Sequence, residues 1–299
     1  RGAATYETGQ AHSGFQKSGF RQEPEDRTLR RTVDGHSAKP GFLRLLGRPC
    51  LRGIDAVGGM TLFMLAGLGQ IFTSARIFPR SLQQIYVIGY KSLFVILLIG
   101  IFCGMVLGLQ GYYTLIQFGS VGMLGSAVSL TLIRELGPVL TAIMLTGRAG
   151  SSMAAEIGVM RITDQIDALD VMDINSLGYL VSPRLVAALI SFPLLTAIFD
   201  VIGILGGYLT GVLMLGINEG AYFYRIASSV TMTDISGGFV KALVFGLLVT
   251  TVCCHQGYYT HRRRDSVGPE AVGNATTSAV VISCVLILAA DYVLTSFLL

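Results

Sequence analysis

The sequence predicts an all-α integral membrane protein, with one amphipathic helix at the membrane interface ahead of five transmembrane helices. Three observations carry that prediction. The 299 residues are 52% hydrophobic and only 13% charged, where soluble domains carry about 25% charged residues. Mean hydropathy is +0.63. Residues 92–133 contain no charged side chain at all, a run well beyond the roughly 20 residues that cross a bilayer.

Composition also narrows the function. No GxxxxGK[ST] occurs, so the chain brings no phosphate-binding loop of its own. The five cysteines (Cys50, Cys103, Cys253, Cys254, Cys284) form no CxxC, and most fall in apolar text, where a small buried hydrophobe is the ordinary role. The four histidines (His12, His36, His255, His261) have no metal-ligand spacing, so no metal site is expected. A formal charge of +4 is small, and nothing points to nucleic acid.

Residues 1–40 are polar without periodicity and read as a disordered N-terminal extension with no signal peptide. Over 41–80, Arg44, Arg48 and Arg52 interleave with leucines and phenylalanines, which suits a basic amphipathic helix lying in the cytoplasmic interface. A sixth span is the other reading, since residues 56–72 are apolar, though Gly-rich and short. Five stronger spans follow, at about 93–109, 123–145, 185–217, 235–256 and 271–299. The third, at roughly 50 Å if helical, must tilt, kink at Pro193 or project beyond the bilayer. Gly203, Gly207 and Gly211 recur in it every four residues, a spacing that lets helices approach closely, within one subunit or across a dimer.

Lys and Arg set the orientation. Twelve precede residue 81; Arg148, Arg161 and Arg184 follow the second span, and Arg262, Arg263 and Arg264 follow the fourth. The opposite loops hold none over 110–122 and only Arg225 over 218–234. The N-terminus is therefore expected inside and the C-terminus outside. An odd number of spans leaves no obvious inverted repeat, so a pathway would need a second copy of the chain.

Intramembrane charges are costly and default to function. Arg134 and Glu135 lie mid-span in the second apolar stretch, Asp200 mid-span in the third, and Lys241 and Asp291 a few residues inside the outer ends of the fourth and fifth. Neighbours on a helix point about 100° apart, so Arg134 and Glu135 do not neutralise each other across one face; Lys241 and Asp291, at similar depth, can pair. Structural ion pairs are one reading. The other is a polar patch in a substrate pathway, and charges amid so much Leu, Phe, Tyr and Met suit an amphiphile with a charged headgroup.

Residues 146–184 form a cytoplasmic loop too long for a plain turn. Glu156, Asp164, Asp167, Asp170 and Asp173 interleave there with Ile157, Met160, Ile162, Ile166 and Leu169. The spacing of 164, 167 and 170 predicts a short amphipathic helix with an acidic stripe. It is either a solvated surface helix or a docking element for a cytoplasmic partner.

At GMVLGLQGY (104–112), LIRELGPVLTAIMLTGRAGSSMAAEIGVMRITDQIDAL (132–169), SPRLVAALISFPLLT (182–196), AVVIS (279–283) and DYVLTS (291–296) the sequence resembles the MlaE family of ABC transporter permeases. The resemblance covers roughly residues 42–299 and implies a permease domain at 81–299 with a coupling loop at about 147–183. It implies a homodimer in a bacterial inner membrane that passes phospholipid to or from a periplasmic MCE-domain protein and maintains outer-membrane lipid asymmetry. A separate ATPase subunit would use the ATP, docking on a coupling helix that carries Glu156, Arg161, Asp164 and Asp167; a STAS-domain subunit can accompany it. The chain itself would bind no cofactor and be no enzyme. By the same likeness Arg134, Glu135, Lys241 and Asp291 line the headgroup path, and Leu107, Leu115 and Phe118 contact acyl chains. The rival class is a self-powered proton-coupled transporter or channel using Glu135, Asp200 and Asp291. An enzyme acting on lipid headgroups would need a Ser/His/Asp or metal constellation, which the sequence does not offer.

Overall fold

A computed structural model describes residues 42–71, 77–262 and 268–298. The expected extension at 1–40, and Arg263 and Arg264, lie outside the described residues. Contacts divide the chain into residues 1–53 and 54–299; the first unit contributes to the described residues only the start of one helix, and everything below concerns the second.

Eight main helices make up the described residues: α1 (Phe42–Ile71), α2 (Phe78–Gln117), α3 (Val121–Ile162), α4 (Gln165–Val171), α5 (Ser176–Met214), α6 (Glu219–Ser229), α7 (Met232–Tyr258) and α8 (Pro269–Leu298). α2, α3, α5, α7 and α8 are each long and apolar enough to cross a membrane. The chain is an all-α membrane protein with five spans. Among the described residues the apolar part of α1, Val57–Ile71, is shorter than the roughly 20 residues a crossing needs.

Where lipid is the solvent, every backbone group must be satisfied within its own segment, and only helices do this without closing a barrel. Close packing then depends on small residues. Gly100, Gly104 and Gly108 of α2 sit against the α5 backbone, and a Cβ on Gly104 would fall on the Gly203 carbonyl. On its other side α5 lays Gly203, Gly207 and Gly211 against Leu132, Val128 and Leu124 of α3. The glycine stripe therefore packs within one chain, as the middle layer of three helices. Phe192, Phe199, Phe245, Leu132, Leu145 and Met153 fill the main core. In a second cluster Phe63 of α1 meets Ile157, Leu185 and Cys254, and the Ser182 hydroxyl donates to the Gly67 carbonyl at 2.8 Å.

Both connecting segments hold helices. Residues 147–183 are mostly helical, and the expected short helix is there in pieces. α3 runs on to Ile162, burying Met153, Ala154, Ile157 and Gly158 against α7 and α8. The chain then breaks at Asp164, which has a left-handed backbone (φ 55°), and α4 starts at Gln165. The acidic stripe is thus split, with Asp164 at the break and Asp167 and Asp170 within α4. The segment 218–234 likewise contains α6, started by Asn218, whose Oδ1 accepts from the Ala221 N–H at 3.0 Å.

Candidate functional site

The site is built where α3 meets the start of α7 and the end of α8. Pro138 follows the charged pair in α3 and has no N–H, so the Arg134 carbonyl loses its ordinary donor four residues on. The helix also widens into a π-turn over Leu132–Leu136, a distortion that concentrates at functional sites. Both effects free polar backbone inside the bundle, and Lys241 of α7 answers one of them: its Nζ donates to the Arg134 carbonyl at 2.8 Å.

The same ammonium donates to Glu135 Oε2 at 2.7 Å and to Thr295 Oγ1 of α8 at 2.7 Å. Asp291 Oδ1 stands 3.1 Å away, at ion-pair distance but outside hydrogen-bond alignment. Lys241 is only 3% exposed at the side chain. Arg134 turns the other way, its Nε donating to Asp234 Oδ1 at 2.7 Å. The second oxygen of Asp234 takes the Thr231 N–H and hydroxyl at 2.9 and 2.8 Å, closing a capping box at the start of α7. One carboxylate therefore both begins a helix and orients the arginine.

The structure brings together Arg134, Glu135, Lys241 and Asp291, all four expected headgroup residues, and adds Asp234 and Thr295, which sequence reasoning missed. Thr231-x-x-Asp234 ahead of an apolar run was the available signal for Asp234. Arg134, Glu135, Asp234, Lys241 and Thr295, with Ser236 and Gly237, border a cavity of about 90 Å³, and Asp291 stands behind Lys241 outside its lining. That volume holds a few waters, each needing about 10–15 Å³ on this measure, or a small polar group.

The other expected residues lie elsewhere. Leu107 lines a separate apolar groove of about 480 Å³ between α2 and α3, with Phe102, Leu136 and Leu140. Leu115 packs against the main core, and Phe118 is 75% exposed just past the end of α2. None of the three touches the charged cavity. Asp200 stands apart too, with Oδ1 buried and without a hydrogen-bond partner among the described residues. It lines an apolar crevice of about 160 Å³ between α5 and α7.

Toward the C-terminal end of α3, Glu156 pairs with Arg184 at 3.0 Å and accepts from the Ser152 hydroxyl at 3.2 Å. Arg161 holds Asp167 at 2.7 Å, donates to His261 Nδ1 at 2.9 Å and lies over the Tyr258 ring. These side chains tie α3, α4, α5 and the end of α7 together. What projects is the tip formed by the last residues of α4 and the turn after it, with Asp170 and Asp173 exposed and Val171 and Met172 87% and 61% exposed.

Five apolar spans with a half-buried cluster of opposite charges between three of them make this a multi-pass membrane protein. Residues 81–297 match the permease MlaE family, and the chain belongs to that family. It is 40% identical over 261 residues to the intermembrane phospholipid transport system permease protein MlaE of Haemophilus influenzae, covering 86% of this chain and 97% of that one. A probable ABC transporter permease protein of Rickettsia bellii is 40% identical over 250 residues, 84% and 95% of the two chains. The protein TRIGALACTOSYLDIACYLGLYCEROL 1, chloroplastic, of Arabidopsis thaliana is 35% identical over 218 residues, 73% of this chain and 61% of that one.

Proposed function

We infer that this chain is the permease subunit of an ABC transporter that moves phospholipid between a bacterial inner membrane and a periplasmic MCE-domain channel, in the service of outer-membrane lipid asymmetry. It works as a homodimer, with the N-terminus cytoplasmic, the C-terminus periplasmic and α1 in the cytoplasmic interface. A separate chain hydrolyses ATP, and a STAS-domain subunit can attend it. Family membership and the phospholipid transport named for the Haemophilus influenzae relative support this reading. The observation that carries it is the two adjacent opposite charges of α3: Arg134 and Glu135 are 43% and 39% exposed at the side chain while Lys241 is buried behind them.

A phospholipid far exceeds 90 Å³, so the chamber that holds one is formed with a second copy, the charges meeting its headgroup and apolar walls its tails. Closure of the ATPase pair reaches α3 directly, because the inner end of that helix is continuous with the segment that bears Arg134. The burial cost of the pair is offset by ion pairs and by a wet, ligand-holding cavity.

The test is purification from native membranes in mild detergent, with co-purifying chains and lipids identified by mass spectrometry. An ATPase, an MCE-domain protein and phospholipid should come down together. A chain that emerges alone and lipid-free, yet moves a labelled lipid in vesicles under a proton gradient without ATP, would establish the proton-coupled class instead.

A further inference from the structure

The lipid reading leaves the headgroup open, and the disposition of the five charges narrows it; the argument that follows rests on that reading. Lys241 is withdrawn from any ligand. Its ammonium is spent on the Arg134 carbonyl, Glu135 and Thr295, with Asp291 beside it, and its side chain is 3% exposed. Of the other charged groups that border the cavity, Asp234 is 8% exposed and committed to Arg134 and Thr231, which leaves Arg134 and Glu135 as the exposed charges there. They are adjacent and of opposite sign, and the helix points them to different sides.

Each keeps unused capacity suited to one half of a zwitterion. Arg134 engages Asp234 through Nε alone, and neither η nitrogen has a hydrogen-bond partner among the described residues. A guanidinium held at Nε presents its outer fork in the geometry that takes two phosphate oxygens. Glu135 gives Oε2 to Lys241, while Oε1 has only the 3.3 Å contact with Thr295; a carboxylate oxygen accepts more than one donor. Glu135, Asp234 and Asp291 outnumber Arg134 and Lys241 by one, so the cluster carries one formal negative charge in excess. A headgroup bringing only a phosphate adds to that excess beside Glu135. One bringing a phosphate and an ammonium satisfies both exposed side chains and adds no net charge.

We propose that this site selects a zwitterionic phospholipid headgroup, binding its phosphate at Arg134 and its ammonium at Glu135, over an anionic headgroup on the same tails. Asp234 is a positioning residue for Arg134, and Lys241 is structural.

The full chain, with whatever partners co-purify, is incubated with vesicles of equimolar phosphatidylethanolamine and phosphatidylglycerol of identical acyl chains, repurified, and its bound lipid measured by mass spectrometry. Wild type should retain the ethanolamine lipid in several-fold excess. Glu135→Gln should bring the ratio to unity or below with total lipid largely kept, and Asp234→Asn should lower total lipid. A wild-type ratio at unity or favouring the glycerol lipid, or a Glu135→Gln ratio equal to a several-fold wild-type ratio, overturns the proposal. Should Glu135→Gln not give monodisperse protein, wild type alone decides. Soluble glycerophosphoethanolamine must displace a labelled lipid at lower concentration than glycerophosphoglycerol, and equal or reversed potency overturns the proposal. Recovery of no phospholipid from either source overturns the lipid reading itself, and this inference with it.

Discussion

Lys241 Nζ lies 2.8 Å from the Arg134 carbonyl oxygen, the carbonyl that Pro138, four residues on, has no N–H to satisfy. A side chain on α7 thus completes the backbone of α3, and the ion pair with Glu135 is formed by the same nitrogen. Lys241→Met should therefore remove a backbone donor and strand two carboxylates at once. Breaking a fully buried pair by deleting one partner costs about 3–5 kcal/mol; with Glu135 39% exposed the loss should fall below that range, and the thermal unfolding midpoint in detergent should drop measurably. Adding Glu135→Gln to Lys241→Met should recover part of the loss. A Lys241→Met midpoint close to that of wild type would sink the account.

Asp200 and Gly137 form a second cross-helix relationship. A Cβ at Gly137 would fall on the Asp200 carboxyl oxygen and crowd the Leu132 carbonyl. Gly137→Ala should destabilise by about 1–3 kcal/mol, the usual cost of overpacking. Asp200→Ala removes the nearer obstacle, so Gly137→Ala should cost less in that background. A double-mutant cycle on unfolding midpoints reads this directly; strict additivity would mean that the two residues do not meet. Asp200→Ala alone should leave ATP-dependent lipid transport intact, because the carboxyl lies in a crevice away from the headgroup cavity, whereas a proton relay through Asp200 would lose it.

Much of this was legible before any coordinates. Hydropathy alone locates five spans, because a bilayer imposes a length and forbids unpaired backbone. The cost of intramembrane charge likewise singled out Arg134, Glu135, Lys241 and Asp291. Their wiring was not legible. Arg134 finds Asp234 one hundred positions away, and no local pattern announces such a pairing. Polar Ser151, Ser152 and Glu156 disguised the inner end of α3 as a loop, although Met153, Ala154, Ile157 and Gly158 mark a helical apolar face. The glycines of α5 were noticed, while Gly100, Gly104 and Gly108 at the same spacing in α2 were passed over. The partner helix was therefore left open between this chain and a second copy.

That glycine contact makes its own prediction. Gly104→Ala places a methyl on the Gly203 carbonyl, a backbone atom that cannot swing aside, so α2 and α5 must separate. The loss should reach or exceed the upper end of the roughly 1–3 kcal/mol range for overpacking, and little folded protein should survive extraction. Gly58→Ala on α1 is the matched control, since nothing lies within 4 Å of its added carbon; it should gain about 0.5–1 kcal/mol from helix propensity. Size-exclusion profiles of the two variants should diverge sharply. Similar profiles would mean that the α2–α5 contact is looser than its geometry.

The inner end allows docking to be separated from folding. Glu156 holds Arg184, whose side chain is 7% exposed, at 3.0 Å, and Asp167 holds Arg161 at 2.7 Å. Reversing either charge should injure the fold as well as any interface. Asp164 and Asp173 sit in left-handed backbone (φ 55° and 58°), where Asp is tolerated better than most residues, so they too confuse the two effects. Asp170 makes no ion pair or hydrogen bond from its side chain among the described residues, and its neighbour Val171 is 87% exposed. Asp170→Lys with Val171→Ser should leave the unfolding midpoint within about 0.5 kcal/mol of wild type, as surface changes usually do. The same variant should release the ATPase from the purified complex and abolish lipid-stimulated ATP hydrolysis. If the ATPase stays bound at wild-type stoichiometry, the tip at the end of α4 is not its docking surface, and the contact belongs to the face of α3 around Val159.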